Sequence, residues 1–428
     1  MGVDVRQIAG AILTLSMFVM LGNMIKKDHF SDTTATLEVN YSNGPAPSED
    51  AAYATSKGVI TKEKEPNNLW RTTEPALNPC WDDKITKSTE KSAGFVQFRL
   101  SNGPHYHVSQ VADAIVVAKY LGATLVLPEI KGSSADENSK FEEIYDADKF
   151  INSLRDVVKV ARQLPNDKIA RRTVLVKIPH RVTEEYIEEN VEPIFRRKRS
   201  IMLSIFFQSI DMKIKEGSNP GIESVRCFGM YGVLEFHPDI RRVGDKMLKK
   251  LHDAGDGSLR HFVAIDLRMD ILLEKGCENA GGSIRSGTKK CFGAQDVGIF
   301  LRKVGFQTDT PLYLTQSTWH ENLNSLKDIF PNVYTKENSM PSDEKEQLFH
   351  SGRTEFERAL DFFICSNSDV FVPAISGMFY ANVVGHRIAA GRTQILVPTT
   401  KQNSTALLSD SVSRYIIDKN HLAYSCLC

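Results

Sequence analysis

The stretch from Asp361 to Arg387 constrains the fold more than any other part of this chain. It reads as an apolar helix, a short buried strand at 370–373, a small-residue turn at Ser376-Gly377 and a second helix. Where a strand runs through a glycine turn into a helix, free backbone N–H groups and the positive end of the helix dipole face outward. The pattern predicts a corner that binds phosphate or diphosphate. The plainer alternative is an ordinary connection in an α/β protein.

Strand and helix patterns alternate along the chain, which is typical of an α/β protein with covered parallel sheets. The predicted strands are Phe95–Leu100, Thr124–Leu127, Thr173–Ile178, Phe262–Leu267, Pro311–Leu314, Val370–Val372 and Gln394–Val397. Helical spacing predicts helices between them, including Ala294–Val304 and Trp319–Phe330. We expect two domains, 79–245 and 246–428, whose strand carboxyl ends surround one ligand cleft.

The amino-terminal part is expected to anchor the protein in a membrane. Ile8 to Ile25 is uncharged and apolar, and its length just meets that of a bilayer-spanning helix. A cleaved signal peptide is the alternative, although no small-residue cleavage site follows. Residues 1–30 are therefore predicted to be a cytosolic tail and transmembrane anchor, and 31–78 a flexible luminal stem. Asn40 and Asn403 begin glycosylation sequons, which favour a luminal body.

Composition excludes one class of partner and indicates the redox environment. Lys plus Arg and Asp plus Glu both number 53, so the chain lacks the basic field that nucleic-acid binding needs. The 7 cysteines form no C-x-x-C pair, and in a lumen an odd number leaves at least one free or intermolecular. We expect Cys277 to pair with Cys291 across a Gly-rich loop, and Cys426 or Cys428 to reach a distant partner.

Two loops at strand ends carry groups suited to ligand chemistry. The first, Asn102 to His107, contains a glycine that lets the backbone approach a ligand closely. His105 and His107 alternate as metal ligands do, but no third ligand is nearby, so we expect no metal. The second contains Arg268, which can bind a diphosphate bidentately and stabilise a leaving nucleotide without a divalent cation. The alternative is a surface ion pair of Arg268 with Asp266 or Asp270.

These segments together resemble the plant O-fucosyltransferase-like family. Ser368 to Pro373, the glycine turn and the closing Gly385-His386-Arg387 are similar to its donor-site segment. Asp113 to Pro128 also looks very like the family, and the likeness extends from Gly94 to the carboxyl terminus. The start of the chain and its ending, Lys419 to Cys428, look like the mannan synthesis-related branch. The resemblance implies a GT-B-like α/β fold of two facing Rossmann-like domains with parallel sheets.

The resemblance also implies roles for single residues. Arg268 stands in the family's His-Leu-Arg tripeptide, where Asp266 replaces the histidine and would either take a proton from the acceptor or only orient Arg268. In the first loop Gly103 matches, whereas Asn102 and His105 stand where the family has Gly and Asn. The candidate donor-binding residues are Asn102, Gly103, His105, Arg268, Asp369, Gly377 and Phe379, with Asp369 facing the base or ribose. The candidate catalytic residues are Asp266 and Arg268.

One further motif is the triplet Asp146-Ala147-Asp148, which in glycosyltransferases of another fold holds a metal on the donor diphosphate. Here it resembles a family segment that leads into a helix and binds no metal, so we favour a structural role.

The resemblance implies a Golgi, single-pass type II membrane glycosyltransferase. It would transfer a sugar from a GDP-linked donor to a glycan acceptor in mannan or glucomannan synthesis, without a metal or other cofactor. The alternative is a non-catalytic Golgi partner of a separate mannan synthase, which the replaced positions at Asn102, His105 and Asp266 make credible.

Overall fold

The computed structural model describes residues 69–70, 75, 77–81, 85, 92–132, 138–214, 217, 219–255, 260–274, 292–349, 354–398 and 408–428. The predicted membrane anchor, most of the predicted stem, the pair Cys277 and Cys291, and both sequon residues, Asn40 and Asn403, lie outside these residues. Across the described ranges, no helix is long and apolar enough to cross a bilayer. The anchor, stem, glycosylation sites and that disulfide therefore stay predictions.

The first half of the described chain forms a seven-stranded sheet. Its strands are β1 (Phe95–Ser101), β2 (Thr124–Val126), β3 (Glu129–Lys131), β4 (Asn138–Lys140), β5 (Val160–Ala161), β6 (Val174–Pro179) and β7 (Ser200–Phe206). Phe95 and Val96 of β1 pair in parallel with β2 and with β7, so these two strands flank β1. β5 lies beyond β2, and β6 lies beyond β7, again in parallel. The β3–β4 pair is antiparallel.

Helices pack on this sheet. They are α1 (Pro104–Tyr120), α2 (Phe141–Ile144), α3 (Ala147–Ser153), α4 (Asp167–Arg172), α5 (Glu184–Tyr186), which continues through a π-helical turn (Ile187–Val191) into α6 (Glu192–Lys198), and α7 (Pro220–Tyr231). α1 begins with a proline, whose missing N–H costs nothing at a first helical position. It is buried along most of its length because it packs against both β1 and α7. Gly229 permits this approach, since a Cβ there would lie 2.8 Å from the Cα of Ala112.

The second half forms a four-stranded parallel sheet in the order β10-β9-β8-β11. Its elements are α8 (Pro238–Asp253), β8 (Val263–Asp266), α9 (Met269–Glu274), α10 (Ala294–Val304), β9 (Leu312–Leu314), α11 (Asn324–Lys327), β10 (Val333–Tyr334), α12 (Lys336–Ser339), α13 (Ser342–Phe349), α14 (Thr354–Asn367), β11 (Val370–Pro373) and α15 (Met378–Ala389). The strands of this sheet are buried except at Tyr334 of β10, which is half-buried, as expected when helices cover both faces. The alternation in the sequence therefore correctly predicts an α/β fold with parallel sheets.

The predicted elements match the observed ones to within about two residues, with two corrections. Gln394–Val397 forms only isolated bridges, from Ile395 to Phe371 and from Leu396 to Val412. Trp319–Phe330 is not one helix but a 3-10 turn (Glu321–Leu323) followed by the short α11. The chain crosses from one sheet to the other between β7 and β8, and the domain boundary near 245 stays a prediction.

The carboxyl-terminal segment returns to the first half of the chain. It contains α16 (Leu408–Ser411), α17 (Arg414–Ile417) and α18 (Ala423–Cys426), and α18 packs on α7 and α15. Cys426 is bonded to Cys227, and Cys428 to Cys80, which confirms that the terminal cysteines reach distant partners. Cys365 is a buried free thiol. One buried apolar cluster includes residues of both sheets, so the two halves share a core.

Candidate functional site

The second sheet has one topological switch point, between β8 and β11. From the central β8 the chain adds β9 and β10 on one side and then returns to add β11 on the other. In such sheets ligands bind outside the carboxyl ends of the two strands where the order reverses. Asp266 ends β8 and is in register with Pro373, which ends β11. Arg268 and Gly377, predicted from separate motifs, therefore follow the two strands that form this crevice.

Asp266 is buried under Arg268 and holds it in place. Arg268 donates from Nε to Oδ1 of Asp266 at 2.9 Å and from Nη2 to Oδ2 at 3.3 Å. The hydroxyl of Thr315 donates to Oδ1 at 3.0 Å, and Asp266 is 0% exposed. Both oxygens of this carboxylate accept hydrogen bonds from Arg268, and Oδ1 also accepts from Thr315. This arrangement favours the second predicted role of Asp266, the orientation of Arg268, and its role as a catalytic base stays a prediction.

Arg268 stays charged and partly open to the crevice. Burial is the largest single effect and disfavours its charged form, but the carboxylates of Asp266, Asp361 and Asp270 together raise the pKa of Arg268 above its usual value. The side chain is 22% exposed, and its guanidinium lies 5.1 Å from the ring centre of Phe379. A guanidinium carries five N–H groups, and among the described residues only Asp266 accepts from this one. The remaining donors suit a diphosphate.

Gly377 forms the opposite wall of the crevice. It precedes α15 with φ 154° and ψ −171°, a backbone region that is open essentially only to glycine. A Cβ built there would meet nothing within 4 Å, so the corner opens into free space. The first N–H groups of the 12-residue α15 are directed to this end of the helix, where they and the helix dipole favour an anion.

The loop after β1 reaches the same crevice from the first sheet. Gly103 has φ 89°, and His105 makes an edge contact with Phe379 at 5.3 Å between ring centres. His105 is 8% exposed, and burial together with the nearby Arg268 lowers its pKa well below the usual value, so its ring is neutral. Asn102 is exposed and has φ 66°. The structure brings Gly103 and His105 together with Arg268 and Phe379, and Asn102 lies at the edge of this group.

Residues 103–390 of the chain match the profile of the family described as GDP-fucose protein O-fucosyltransferase. The chain belongs to this family. It is 44% identical over 428 residues to Protein MANNAN SYNTHESIS-RELATED 1 of Arabidopsis thaliana, and the match covers 100% of both chains. It is 41% identical to Protein MANNAN SYNTHESIS-RELATED of Trigonella foenum-graecum, with 99% of both chains covered.

Among solved structures, the chain is similar to POFUT1 in complex with GDP. The sequence identity is 14%, the TM-score is 0.40, and the match covers 72% of this chain and 98% of that one. A TM-score of this size describes a loose likeness.

Part of the segment that resembles the family's donor site has a structural role in this chain. Asp369 precedes β11, so it lies at the amino end of the strand, about 13 Å from the crevice. Its carboxylate accepts from the backbone N–H of Phe262 at 3.0 Å and contacts His261 at 3.0 Å. Arg387 is fully buried and donates to the carbonyls of Ser368 and Asp369. The structure does not bring Asp369 to the crevice, which corrects its predicted contact with a base or ribose.

The other acidic and histidine motifs also have local roles. Asp146 caps α3 by accepting from the N–H of Lys149 at 3.0 Å, and Asp148 pairs with Arg162 at 2.5 Å. This supports the structural role predicted for the D-x-D triplet. His107 is fully buried, and its Nδ1 lies 2.8 Å from the hydroxyl of Tyr145.

Two features of the site are not indicated by the sequence. Asn382 of α15 donates to the backbone carbonyl of His105 at 2.6 Å, which fastens one wall of the crevice to the other. Behind Asp266 lies a second buried ion pair, Lys336 with Asp361 at 2.6 Å, and Tyr313 donates to the same carboxylate at 2.8 Å. Each partner is distant in sequence. In the sequence nearby, only a polar residue on an otherwise apolar helix face indicates that such a contact exists, and this pattern does not identify the partner residue.

Proposed function

We propose that this chain is a glycosyltransferase that uses a GDP-linked sugar donor and acts in the synthesis of mannan or glucomannan. The observation that carries the proposal is Arg268, which Asp266 orients at the switch-point crevice opposite the glycine corner of Gly377. Membership in the O-fucosyltransferase family and the names of its relatives support the donor type and the pathway.

The crevice suits a mechanism in which the protein itself neutralises the leaving group. Arg268 and the first N–H groups of α15 bind the donor diphosphate and stabilise its charge as the bond to the anomeric carbon breaks. The acceptor hydroxyl attacks that carbon as its bond to the donor phosphate breaks, GDP leaves, and the hydroxyl proton passes to the departing phosphate oxygen or to water. Because a guanidinium supplies the positive charge, no divalent cation is needed to hold the diphosphate.

We also propose a GT-B-like arrangement of the two sheets and a Golgi location with the body in the lumen. Two disulfides join residues 348 and 199 positions apart, and such bonds persist in oxidising compartments. The predicted amino-terminal anchor and the sequons at Asn40 and Asn403 fit the same type II orientation.

A non-catalytic partner of a separate mannan synthase is the second candidate. One observation favours it. Asp266 stands in place of the family's histidine, and its carboxylate accepts hydrogen bonds from Arg268 and Thr315. A chain with this loss could retain the fold and donor binding without turnover.

A turnover assay separates the two functions. The full-length chain is incubated with GDP-mannose or GDP-fucose and a mannohexaose acceptor, and GDP release is measured with and without a chelator. We expect release that requires the acceptor and is unchanged by the chelator, since Arg268 does the work of a cation. If neither donor gives GDP release, and a mannan-deficient plant regains mannan when it carries Arg268→Ala, the partner role is established.

A further inference from the structure

The first sheet has a switch point of its own, of which the donor site uses only the part of the loop that carries Gly103 and His105. From the central β1 the chain adds β2 and β5 on one side and then crosses to the other, where β6 forms the outer strand and β7 lies between β6 and β1. The reversal therefore lies between β1 and β7, and their carboxyl ends form a second crevice. The residues that follow these strands include Tyr106, in the first turn of α1, and Phe207, directly after β7.

A continuous line of rings connects this crevice to the donor site. Phe379, which lies under Arg268, touches His105, and His105 touches Tyr106 at 4.9 Å between ring centres. Tyr106 and Phe207 form a T-shaped pair at 4.9 Å between ring centres, with the two ring planes at 88°. Phe379 and His105 are buried, whereas Tyr106 and Phe207 are partly exposed. The last two are thus the rings that a ligand can reach.

The loop that carries Phe207 is held firmly. His180 donates its backbone N–H to the carbonyl of Phe206 at 2.8 Å, and Arg181 donates to the carbonyl of Lys213 at 2.6 Å. Met212 is fully buried, and the N–H of Leu422 donates to its carbonyl at 2.7 Å. A surface fixed in this way loses little conformational entropy when a ligand binds.

The charges beneath the rings are internally paired. Asp113 is fully buried between His180, at 2.8 Å, and the guanidinium of Arg226. Phe207 covers His180 at 4.7 Å between ring centres. The exposed surface at this point is therefore aromatic, and the charged groups beneath it neutralise one another. Such a surface suits an uncharged ligand with apolar faces.

We propose that Tyr106 and Phe207 form the acceptor subsite and bind a neutral oligosaccharide by stacking against its pyranose rings. Sugar rings present flat C–H faces to aromatic side chains and hydroxyls to solvent, and a Tyr ring adds a polar edge. The ring line leads from this subsite to Arg268, where the acceptor hydroxyl would meet the donor. The proposal rests on the proposed function for the identity of the sugar.

The test is calorimetric titration of mannohexaose and, separately, of GDP into the full-length chain. Tyr106→Ala and Phe207→Ala should each weaken mannohexaose binding about tenfold, because each removes one stacking face. GDP affinity should change less than about twofold. Tyr106→Phe keeps the ring and should bind mannohexaose nearly as the parent does, which tests stacking even if an alanine variant folds poorly.

Tyr120→Ala is the matched control. Tyr120 is also partly exposed and lies on α1, but about 21 Å from Tyr106 along the helix. Unchanged mannohexaose binding in Tyr106→Ala and Phe207→Ala, or an equal loss in Tyr120→Ala, overturns the subsite. A parent chain that binds GDP but no mannohexaose overturns it too and leaves the donor site standing. Mannohexaose binding through these rings without GDP binding supports the subsite and contradicts the proposed transferase.

Discussion

At the scale of single residues, Arg268 shows how an ion pair can prepare a binding group. Asp266 accepts from two N–H groups along one edge of the guanidinium and helps to raise its pKa, yet leaves the other N–H groups directed away from the carboxylate. The sequence offered an ion pair and a diphosphate ligand as alternatives for Arg268. In the structure the ion pair with Asp266 positions Arg268 for a diphosphate. A guanidinium that is already held in place loses less conformational entropy when the ligand binds.

Replacement of Asp266 distinguishes orientation from base catalysis. Asp266→Asn keeps the shape but removes the charge that holds Arg268, so the KM for the donor should rise about tenfold. The pH profile of kcat should keep its shape. If Asp266 were the base, kcat would fall by about 10²–10⁴ and the acidic limb of the profile would disappear. Asp270→Asn, at an exposed neighbouring carboxylate, should leave both quantities unchanged.

At the scale of secondary structure, the sequence predicted the strand ends well because the apolar runs and turn residues are local. Gly377 and Arg268 were placed correctly for that reason. The predicted position of Asp369 is wrong because a residue that precedes a parallel strand lies at the opposite edge of the sheet from one that follows it. The partners Asn382 and His105 are 277 positions apart, so no local pattern reports their contact.

The turn before α15 is a place where geometry can be tested directly. Gly377→Ala forces a side chain into a glycine-only backbone region at a cost of about 1–3 kcal/mol, and the turn should relax away from the phosphate corner. We expect a lower melting temperature and weaker GDP binding.

Gly391→Ala serves as the control for that variant. Gly391 has φ 68° and follows the other end of α15, about 20 Å away. It should lower the melting temperature and leave GDP affinity unchanged. An equal loss of GDP affinity in both variants would mean that the corner at Gly377 acts only through stability.

At the scale of the whole molecule, a shared core and two long-range disulfides tie the halves together. Cys227–Cys426 and Cys80–Cys428 hold the carboxyl-terminal segment to the first half, and α15 packs on α1 across the crevice. The sequence pattern predicts two sheets, but it does not show that the end of the chain returns to the first half. That contact depends on residues far apart in the sequence, such as Cys227 and Cys426.

Buried histidines throughout the body make its stability depend on pH. Burial lowers the pKa of His107 and His421 to about 3 and that of His386 to about 4. Their folded pKa values lie below the unfolded value near 6.5, so the unfolded chain binds more protons in acid. Stability is therefore complete above about pH 6.5 and falls as the pH approaches 4. Between pH 6.5 and 5, each histidine should cost about 2 kcal/mol.

Thermal melts across this range measure the effect. The melting temperature should fall steadily below pH 6.5, and His386→Phe, which keeps the ring packed against Phe362 and Tyr231, should make the fall less steep. If the melting temperature falls equally steeply with pH in His386→Phe and in the parent chain, His386 does not contribute to the pH dependence of stability.

The most direct test of the central claim is calorimetric titration of GDP into the full-length chain and its Arg268→Ala variant. We expect the parent chain to bind GDP and Arg268→Ala to bind about 100-fold more weakly, since charge-assisted hydrogen bonds to the diphosphate are lost. Arg196→Ala, at an exposed arginine paired with Glu192, should bind GDP as the parent does. Equal affinity in Arg268→Ala, or no binding by the parent chain, would contradict the assignment of this crevice to a nucleotide diphosphate.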